Sequence, residues 1–230
     1  VIDSRKVEAG NLFVAIKGER VDGHTFIDAV YGQGAAAVVS EQRLEDPKGY
    51  YILVESTTQA LKDIAAFYRD SLDIKVVGIT GSVGKTSTKD IIASVVSQKY
   101  KTLKTEGNNN NNIGLPLTIL KLKDHEALVV EMGMNHFGEI SLLTNIAKPT
   151  LAVITNIGTS HIGNLGSREN ILKAKLEILE GMKIPRVIIN NDNDLLHKWY
   201  KENKEKYNIT IGYNKSTGII ETITIVPSNK

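Results

Sequence analysis

The chain alternates short apolar runs with amphipathic stretches, and the first part does so in brief elements. LFVAI (Leu12–Ile16) and AAAVV (Ala35–Val39) are apolar throughout, a pattern that predicts buried strands. The polar-apolar mix over His24–Gln33 predicts a short helix between them. YYILV (Tyr50–Val54) predicts a further strand. Ser56 fits the N-cap of a helix running to Tyr68, with Leu61, Ile64, Ala65 and Tyr68 on one face.

The rest has a clearer rhythm. IKVVGIT (Ile74–Thr80), ALVVE (Ala127–Glu131), LAVITN (Leu151–Asn156) and RVIIN (Arg186–Asn190) predict buried strands. Helices are predicted from about Lys85 to Lys99, over Ser167–Glu180, and in the polar stretch reaching Lys206. ITIG (Ile209–Gly212) and the alternating tail ETITIVPSNK predict further strands. Continuous apolar strands alternating with helices imply an α/β fold with a mostly parallel sheet covered on both faces. The polar segment SLDIK (Ser71–Lys75) marks a junction, giving a small α/β domain over residues 1–73 and a second domain over 74–230.

Composition narrows this picture only slightly. The 28 basic and 26 acidic residues nearly cancel, which gives no support to a nucleic-acid or membrane-surface role by charge. The absence of cysteine excludes disulfides and thiolate metal sites and fits a reducing compartment. No apolar run approaches the ~18 residues that span a bilayer. The chain opens on Val1 within a strand-like run, so residues are expected upstream.

The strongest chemical signal is TGSVGKTS: Thr80, Gly81, Ser82, Val83, Gly84, Lys85, Thr86 and Ser87. It lies between a predicted strand and a predicted helix, the setting a phosphate-binding loop requires. Gly81 and Gly84 let the backbone turn tightly, so that N–H groups and the helix N-terminus face an anion. Lys85 would reach the β- and γ-phosphates, and the Thr86 hydroxyl would ligate Mg²⁺. Ile79 occupies the first glycine position of the longer G-x-x-x-x-G-K-[ST] form, which leaves a shorter G-x-x-G-K-T core. The competing reading is an ordinary strand-to-helix turn with a solvated lysine.

In an open parallel sheet, ligands collect beyond the carboxyl ends of the strands. Glu131 closes one such strand and reads as an Mg²⁺ ligand or as a capping carboxylate. His161 follows another, in NIGTSHIGNLGSRE, and reads as a metal ligand, a phosphate donor or a structural histidine. His24, His125, His136 and His197 lack that placement and read as structural or solvated. Lys175, in KAKLE, reads by itself as an exposed helix lysine. The amide-rich tract GNNNNNIGLP (Gly107–Pro116) suits a polar ligand or an irregular loop. DSRK (Asp3–Lys6) and KGERVDGHTF (Lys17–Phe26) allow anion binding or a solvated surface.

Taken together, these segments resemble the Mur ligase family, the ATP-dependent amide-forming enzymes of peptidoglycan precursor synthesis. DSRKVEAGNLFVAIKGERVDGHTFI resembles its uridine-nucleotide-binding first domain, and TGSVGKTSTK its shortened phosphate loop. KTEGNNNNNIGLPLT resembles the T-x-G-N-x-N-N-x-I-G-x-P stretch of the member that joins D-alanyl-D-alanine to UDP-N-acetylmuramoyl-tripeptide. EMGMNHFGEI and TNIGTSHIGNLGSRENILKAK resemble its metal-site segments.

The resemblance implies roles residue by residue. Lys85 would hold the γ-phosphate; Thr86 and Glu131 would ligate Mg²⁺; His161 would join a second metal site. Lys175 aligns with the family's carbamylated lysine, an anionic Mg²⁺ ligand whose formation needs a neutral amine. Ser4 and Arg5 would contact the UDP portion. Thr105, Asn108, Asn110 and Asn111 would line the sugar-peptide side, and Asn190 would lie near the adenine. The implied cofactors are ATP and Mg²⁺, the implied state a cytoplasmic monomer, and the implied product pair an amide and ADP. The family also has a third, Rossmann-like domain that closes over ATP. Nothing after Lys230 is present here, so this chain is expected to bind its UDP substrate and, weakly, nucleotide, and to form little amide alone.

Three rivals stand beside this expectation. One is a sister ligase or folylpolyglutamate-synthetase-like enzyme, against which the asparagine tract argues. The others are a P-loop kinase or NTPase and a non-catalytic nucleotide-binding module.

Overall fold

The computed structural model describes residues 1–211 of the chain. It divides into two compact units, Val1–Ala65 and Ala66–Lys230, and the division falls inside helix α2 (Thr57–Asp70). The predicted tail strand and Gly212 lie outside the described residues.

The first unit holds a three-stranded parallel sheet of β1 (Leu12–Val14), β2 (Ala37–Ser40) and β3 (Tyr50–Leu53), in the order β1-β2-β3. Phe13, Ala15, Ile27, Val30 and Val38 form its core, joining two strands to helix α1 (Ile27–Gly32). Asp3 and Asp22 each cap a 3₁₀ turn, at Ser4–Lys6 and Gly23–Phe26, by accepting the N–H two residues on. His24 is buried and structural: Nδ1 bonds Asp22 at 2.6 Å and Nε2 accepts the Glu41 N–H at 3.1 Å. At the sheet edge, β3 leaves Tyr50, Ile52 and Leu53 exposed.

Among the described residues, the second unit is built on a six-stranded parallel sheet. Its strands are β4 (Lys75–Thr80), β5 (Thr102–Lys104), β6 (Ala127–Glu131), β7 (Leu151–Ile154), β8 (Arg186–Ile189) and β9 (Asn208–Ile211). The order is β5-β6-β4-β7-β8-β9. Chain order runs one way from β4 to β5 and β6, then crosses to the other side for β7. The reversal therefore falls beside β4, where a doubly wound sheet opens a crevice at the strands' carboxyl ends.

Helices cover both faces. Helix α3 (Lys85–Val96) packs on one, where Ala93 meets Ile79, Val129 and Val153. On the other lie α5 (Glu139–Ala147), α7 (Arg168–Leu176) and the 3₁₀ turn Glu177–Leu179. Gly78 faces that side: a Cβ there would meet Pro149, Met132 and Ile178 at 3.0–3.4 Å. Near the foot of the sheet, buried Arg69 donates to the carbonyls of Ala147 and Leu72, each at 2.8 Å. Helix α8 (Asp194–Asn203) follows β8 and is capped by Asn193.

Within the described residues, the predicted strands and long helices recur with ends shifted by a few residues. Four elements were not anticipated: β5, α4 (Gly114–Ile119), α5 and α6 (Ile162–Leu165). β5 is three residues with flanking lysines, and α4 starts on Gly-Leu-Pro, so neither has a readable period. Pro116 is accommodated because it sits in the first turn, where no intrahelical N–H bond is lost. No helix among the described residues is long and apolar enough to cross a membrane.

Candidate active site

The phosphate loop leaves the carboxyl end of β4 and enters α3. Gly84 caps that helix at φ +81°, a left-handed conformation that favours glycine. Gly81 takes φ +150°, and a Cβ there would lie 1.9 Å from Thr155 Oγ1. Only glycine fits between these two loops. Lys85 folds back so that Nζ donates to the Gly81 carbonyl at 3.0 Å. The first amides of α3 lack intrahelical acceptors, as at any helix start, and so face an anion site.

Glu131 ends β6 opposite Ile79, on the face that α3 covers. It is nearly fully buried, and each carboxylate oxygen has a donor. Thr86 Oγ1 donates to Oε2 at 2.8 Å, and Asn110 Nδ2 donates to Oε1 at 2.8 Å. The Glu131 N–H in turn donates to Thr105 Oγ1 at 3.0 Å. One carboxylate thus links the phosphate loop to the asparagine tract, while the Glu131 main chain is tied to Thr105, the residue after β5.

Lys175 is 2% exposed, and its Nζ has no hydrogen-bond partner among the described residues. Burial, together with the Lys85 charge, pushes its pKa down to about 7. An amine in such surroundings is substantially neutral at physiological pH. His161 caps α6 in the left-handed region at φ +65°. Desolvation, then the nearby cations Lys175 and Lys85, lower its pKa, and Glu139 opposes them.

Six of the residues singled out by sequence converge on one cavity of about 260 Å³: Lys85, Asn110, Asn111, Glu131, His161 and Lys175. Gly133, Met134, Asn135 and Glu139 complete its wall. Thr86 joins through its bond to Glu131. Thr105 does not line this cavity; it is fully buried beneath Glu131. Asn108 is exposed and contributes its carbonyl to the Asn110 N–H at 2.8 Å. Asn190, at the end of β8, lines a separate groove of about 340 Å³ with Thr88, Thr155, Ile189 and Asp192. In the first unit, Ser4 and Arg5 border a cavity of about 540 Å³ with Ile2, Gly18, Val21 and Phe26. Arg5 there is paired with Asp3 at 2.9 Å.

Two residues with clear roles escaped the sequence reading. Asn156 Oδ1 accepts the N–H groups of Ser82 and Val83 at 3.1 and 3.0 Å. Its only signal was a polar residue directly beyond an apolar strand. Glu139, eight positions after Glu131, lies on the cavity wall and accepts the Asn135 N–H at 2.6 Å.

The residues present fit a triphosphate with one divalent cation. Gly81 and Gly84 give the backbone approach that phosphate needs, and the Thr86 and Glu131 oxygens lie side by side at its edge. Mg²⁺ typically takes one or two carboxylates, waters and phosphate oxygens, not a cage made wholly of protein. That matches a site where, among the described residues, no group of three or more His, Cys, Asp and Glu side chains gathers. Thr80 adds a feature on the other face: its hydroxyl is fully buried and has no hydrogen-bond partner.

Comparison with known proteins places the chain in a family and matches its fold. A family model described as the Mur ligase middle domain matches residues 79–228. Another, described as the Mur ligase family catalytic domain, matches residues 1–69. The UDP-N-acetylmuramoyl-tripeptide–D-alanyl-D-alanine ligase of Bacillus subtilis is 46% identical over 209 residues, covering 89% of this chain and 46% of its own. The enzyme of that name from Synechocystis is 46% identical over 154 residues, 66% of this chain and 34% of its own. Among solved structures, MurF from Acinetobacter baumannii superposes with a TM-score of 0.85 at 36% identity, over 92% of this chain and 47% of that one. MurF ligase from Thermotoga maritima, in complex with ADP, gives 0.84 at 38% identity, over 92% of this chain and 49% of that one. The chain spans about half the length of the curated relatives it matches, or less.

Proposed function

The chain belongs to the Mur ligase family, and from that premise we propose that it joins D-alanyl-D-alanine to UDP-N-acetylmuramoyl-tripeptide at the expense of ATP. The observation that carries this reading is the single cavity where Lys85, Glu131, His161 and Lys175 meet the asparagine tract at the phosphate loop. A nucleotide site alone would not need the tract. An amide ligase does, because the carboxylate to be activated must lie beside the γ-phosphate.

In this reading a carboxylate oxygen of the tripeptide attacks the γ-phosphorus, and the bond to ADP breaks. The Lys85 ammonium and the first amides of α3 face the oxygens on which charge spreads. The dipeptide amine then attacks the acyl carbon, loses its proton, and the tetrahedral intermediate expels phosphate. The Thr86 hydroxyl and the Glu131 carboxylate would hold Mg²⁺, which would supply charge neutralisation at the phosphates. The neutral amine of Lys175 suits addition to CO₂, releasing a proton and leaving a carbamate. That change replaces a would-be cation beside Lys85 with an anion and supplies metal-binding oxygens, with His161 on the same wall. Asn110 and Asn111 face the peptide end of the substrate, with Thr105 and Asn108 supporting the tract. Asn190 borders the adenine groove, and Ser4 and Arg5 take the uridine diphosphate.

The test is ADP release by the intact protein. The expected result is turnover only when the UDP-tripeptide and D-alanyl-D-alanine are both present. Turnover with ATP alone would replace this reading with a simple NTPase.

A further inference from the structure

The segment after β7 is stapled to the phosphate loop. Asn156 Oδ1 accepts from the Ser82 and Val83 amides at 3.1 and 3.0 Å. Thr155 Oγ1 donates to the Val83 carbonyl at 2.6 Å. Ser82 Oγ accepts the Gly158 N–H at 2.9 Å, and Ser160 Oγ donates to the Ser82 carbonyl at 3.3 Å. There is no slack between the two segments. A Cβ on Gly81 would lie 1.9 Å from Thr155 Oγ1, and one on Gly158 would lie 3.3 Å from Ser82 Cβ.

These contacts sort the amides of the loop. Those of Ser82 and Val83 are turned toward Asn156, which leaves the amides from Gly84 onward for an anion. The same segment continues from Ser160 directly into His161, on the wall of the catalytic cavity. Two parts of the site from distant stretches of chain are thereby held in register. Order present before the ligand arrives does not have to be imposed by it, which is how preorganisation raises affinity.

We infer that Asn156 is a positioning residue: it splints Ser82–Val83 so that the phosphate loop is preformed for a nucleoside polyphosphate and registered to His161. This rests on the reading of Thr80–Ser87 as the triphosphate loop. Thr155 is its weaker companion, acting on the Val83 carbonyl.

The test is calorimetric binding of ADP to the intact protein, with Michaelis constants for ATP and for the UDP-substrate measured alongside. Asn156→Ala is expected to weaken ADP binding by about tenfold, the scale of removing the side-chain acceptor that Ser82 and Val83 share, although Ser82 N–H keeps the Asn156 main-chain carbonyl at 3.1 Å. The Michaelis constant for ATP should rise in parallel, while that for the UDP-substrate stays within about twofold. Thr155→Val is expected to weaken ADP binding by about threefold, and it decides the matter if Asn156→Ala does not fold. Unchanged ADP affinity in the folded variants overturns the inference. So does tighter binding, because Asn156 would then be competing with phosphate for the amides. An equal loss for both substrates overturns it as well, since that marks general damage. Failure of the unsubstituted protein to bind ADP would instead remove the reading of the loop, and the inference with it.

Discussion

Thr86, on the first turn of the helix after the phosphate loop, donates its hydroxyl to the buried carboxylate of Glu131 at 2.8 Å, across 45 residues of sequence. Both oxygens are of the kind that a hard divalent cation prefers. Nucleotide affinity should therefore carry an Mg²⁺-dependent increment that needs both side chains. Glu131→Ala and Thr86→Ala are each expected to reduce that increment about 10-fold or more, in line with a charge-assisted contact of ~1.5–3 kcal/mol. ADP titrations with and without Mg²⁺ measure it. An increment surviving intact in Glu131→Ala would remove Glu131 from the metal site.

Lys175 gives a pH signature. Its folded pKa of about 7 lies below the ordinary 10.5. Between those values the unfolded chain binds the proton and the folded chain does not, so stability rises with pH across that window. Below about pH 7 the folded state bears the full cost of a buried cation. The slope contributed is at most about 1.4 kcal/mol per pH unit. Urea unfolding at pH 7 and pH 9.5 in CO₂-free buffer, where Lys175 stays an amine, should show this gain in the unsubstituted protein and lose it in Lys175→Met. Equal gains in the two proteins would contradict the assignment.

The two glycines of the loop should respond differently to alanine. Gly84→Ala faces only the left-handed backbone, with nothing near the added Cβ, and is expected to cost about 1 kcal/mol. Gly81→Ala adds the collision with Thr155, and should cost more and abolish ADP binding. Thermal melts and ADP titrations of both variants check the order. A Gly81→Ala protein that binds ADP normally would contradict the close packing of the two loops.

Arg69 carries a structural prediction away from the site. It is buried, and its guanidinium donates to two carbonyls at 2.8 Å. Arg69→Met keeps the packing but strands both acceptors, with an expected loss of about 2–4 kcal/mol. The urea midpoint should fall, with ADP affinity unchanged in the folded protein. A midpoint that does not move would show that water replaces the guanidinium at no cost.

The sheet was legible because buried parallel strands are written as unbroken apolar runs, as in ALVVE and LAVITN. The phosphate loop was legible because its glycines and lysine are local in sequence. Lys175 was not, since KAKLE reads as a solvated helix face. Yet Ile171, Ala174, Lys175 and Ile178 are all buried. This i, i+3, i+4, i+7 stripe puts the lysine on the core face, a signal available in the periodicity. Thr105 read as a ligand-facing hydroxyl, but the structure turns it under the backbone of Glu131, a partner in another strand. Asn156 was hidden for the same reason: its partners lie 73 and 74 residues away, and no local pattern encodes such a contact.

The central claim is that this site drives a carboxylate onto the γ-phosphate before the amide forms. Supplying the intact protein with UDP-N-acetylmuramoyl-tripeptide labelled with ¹⁸O in its terminal carboxylate tests it most directly. An acyl-phosphate route transfers one carboxylate oxygen to the released phosphate, so mass spectrometry should find ¹⁸O in inorganic phosphate in step with ADP and amide. Phosphate released without the label, at the same rate as ADP, would contradict it.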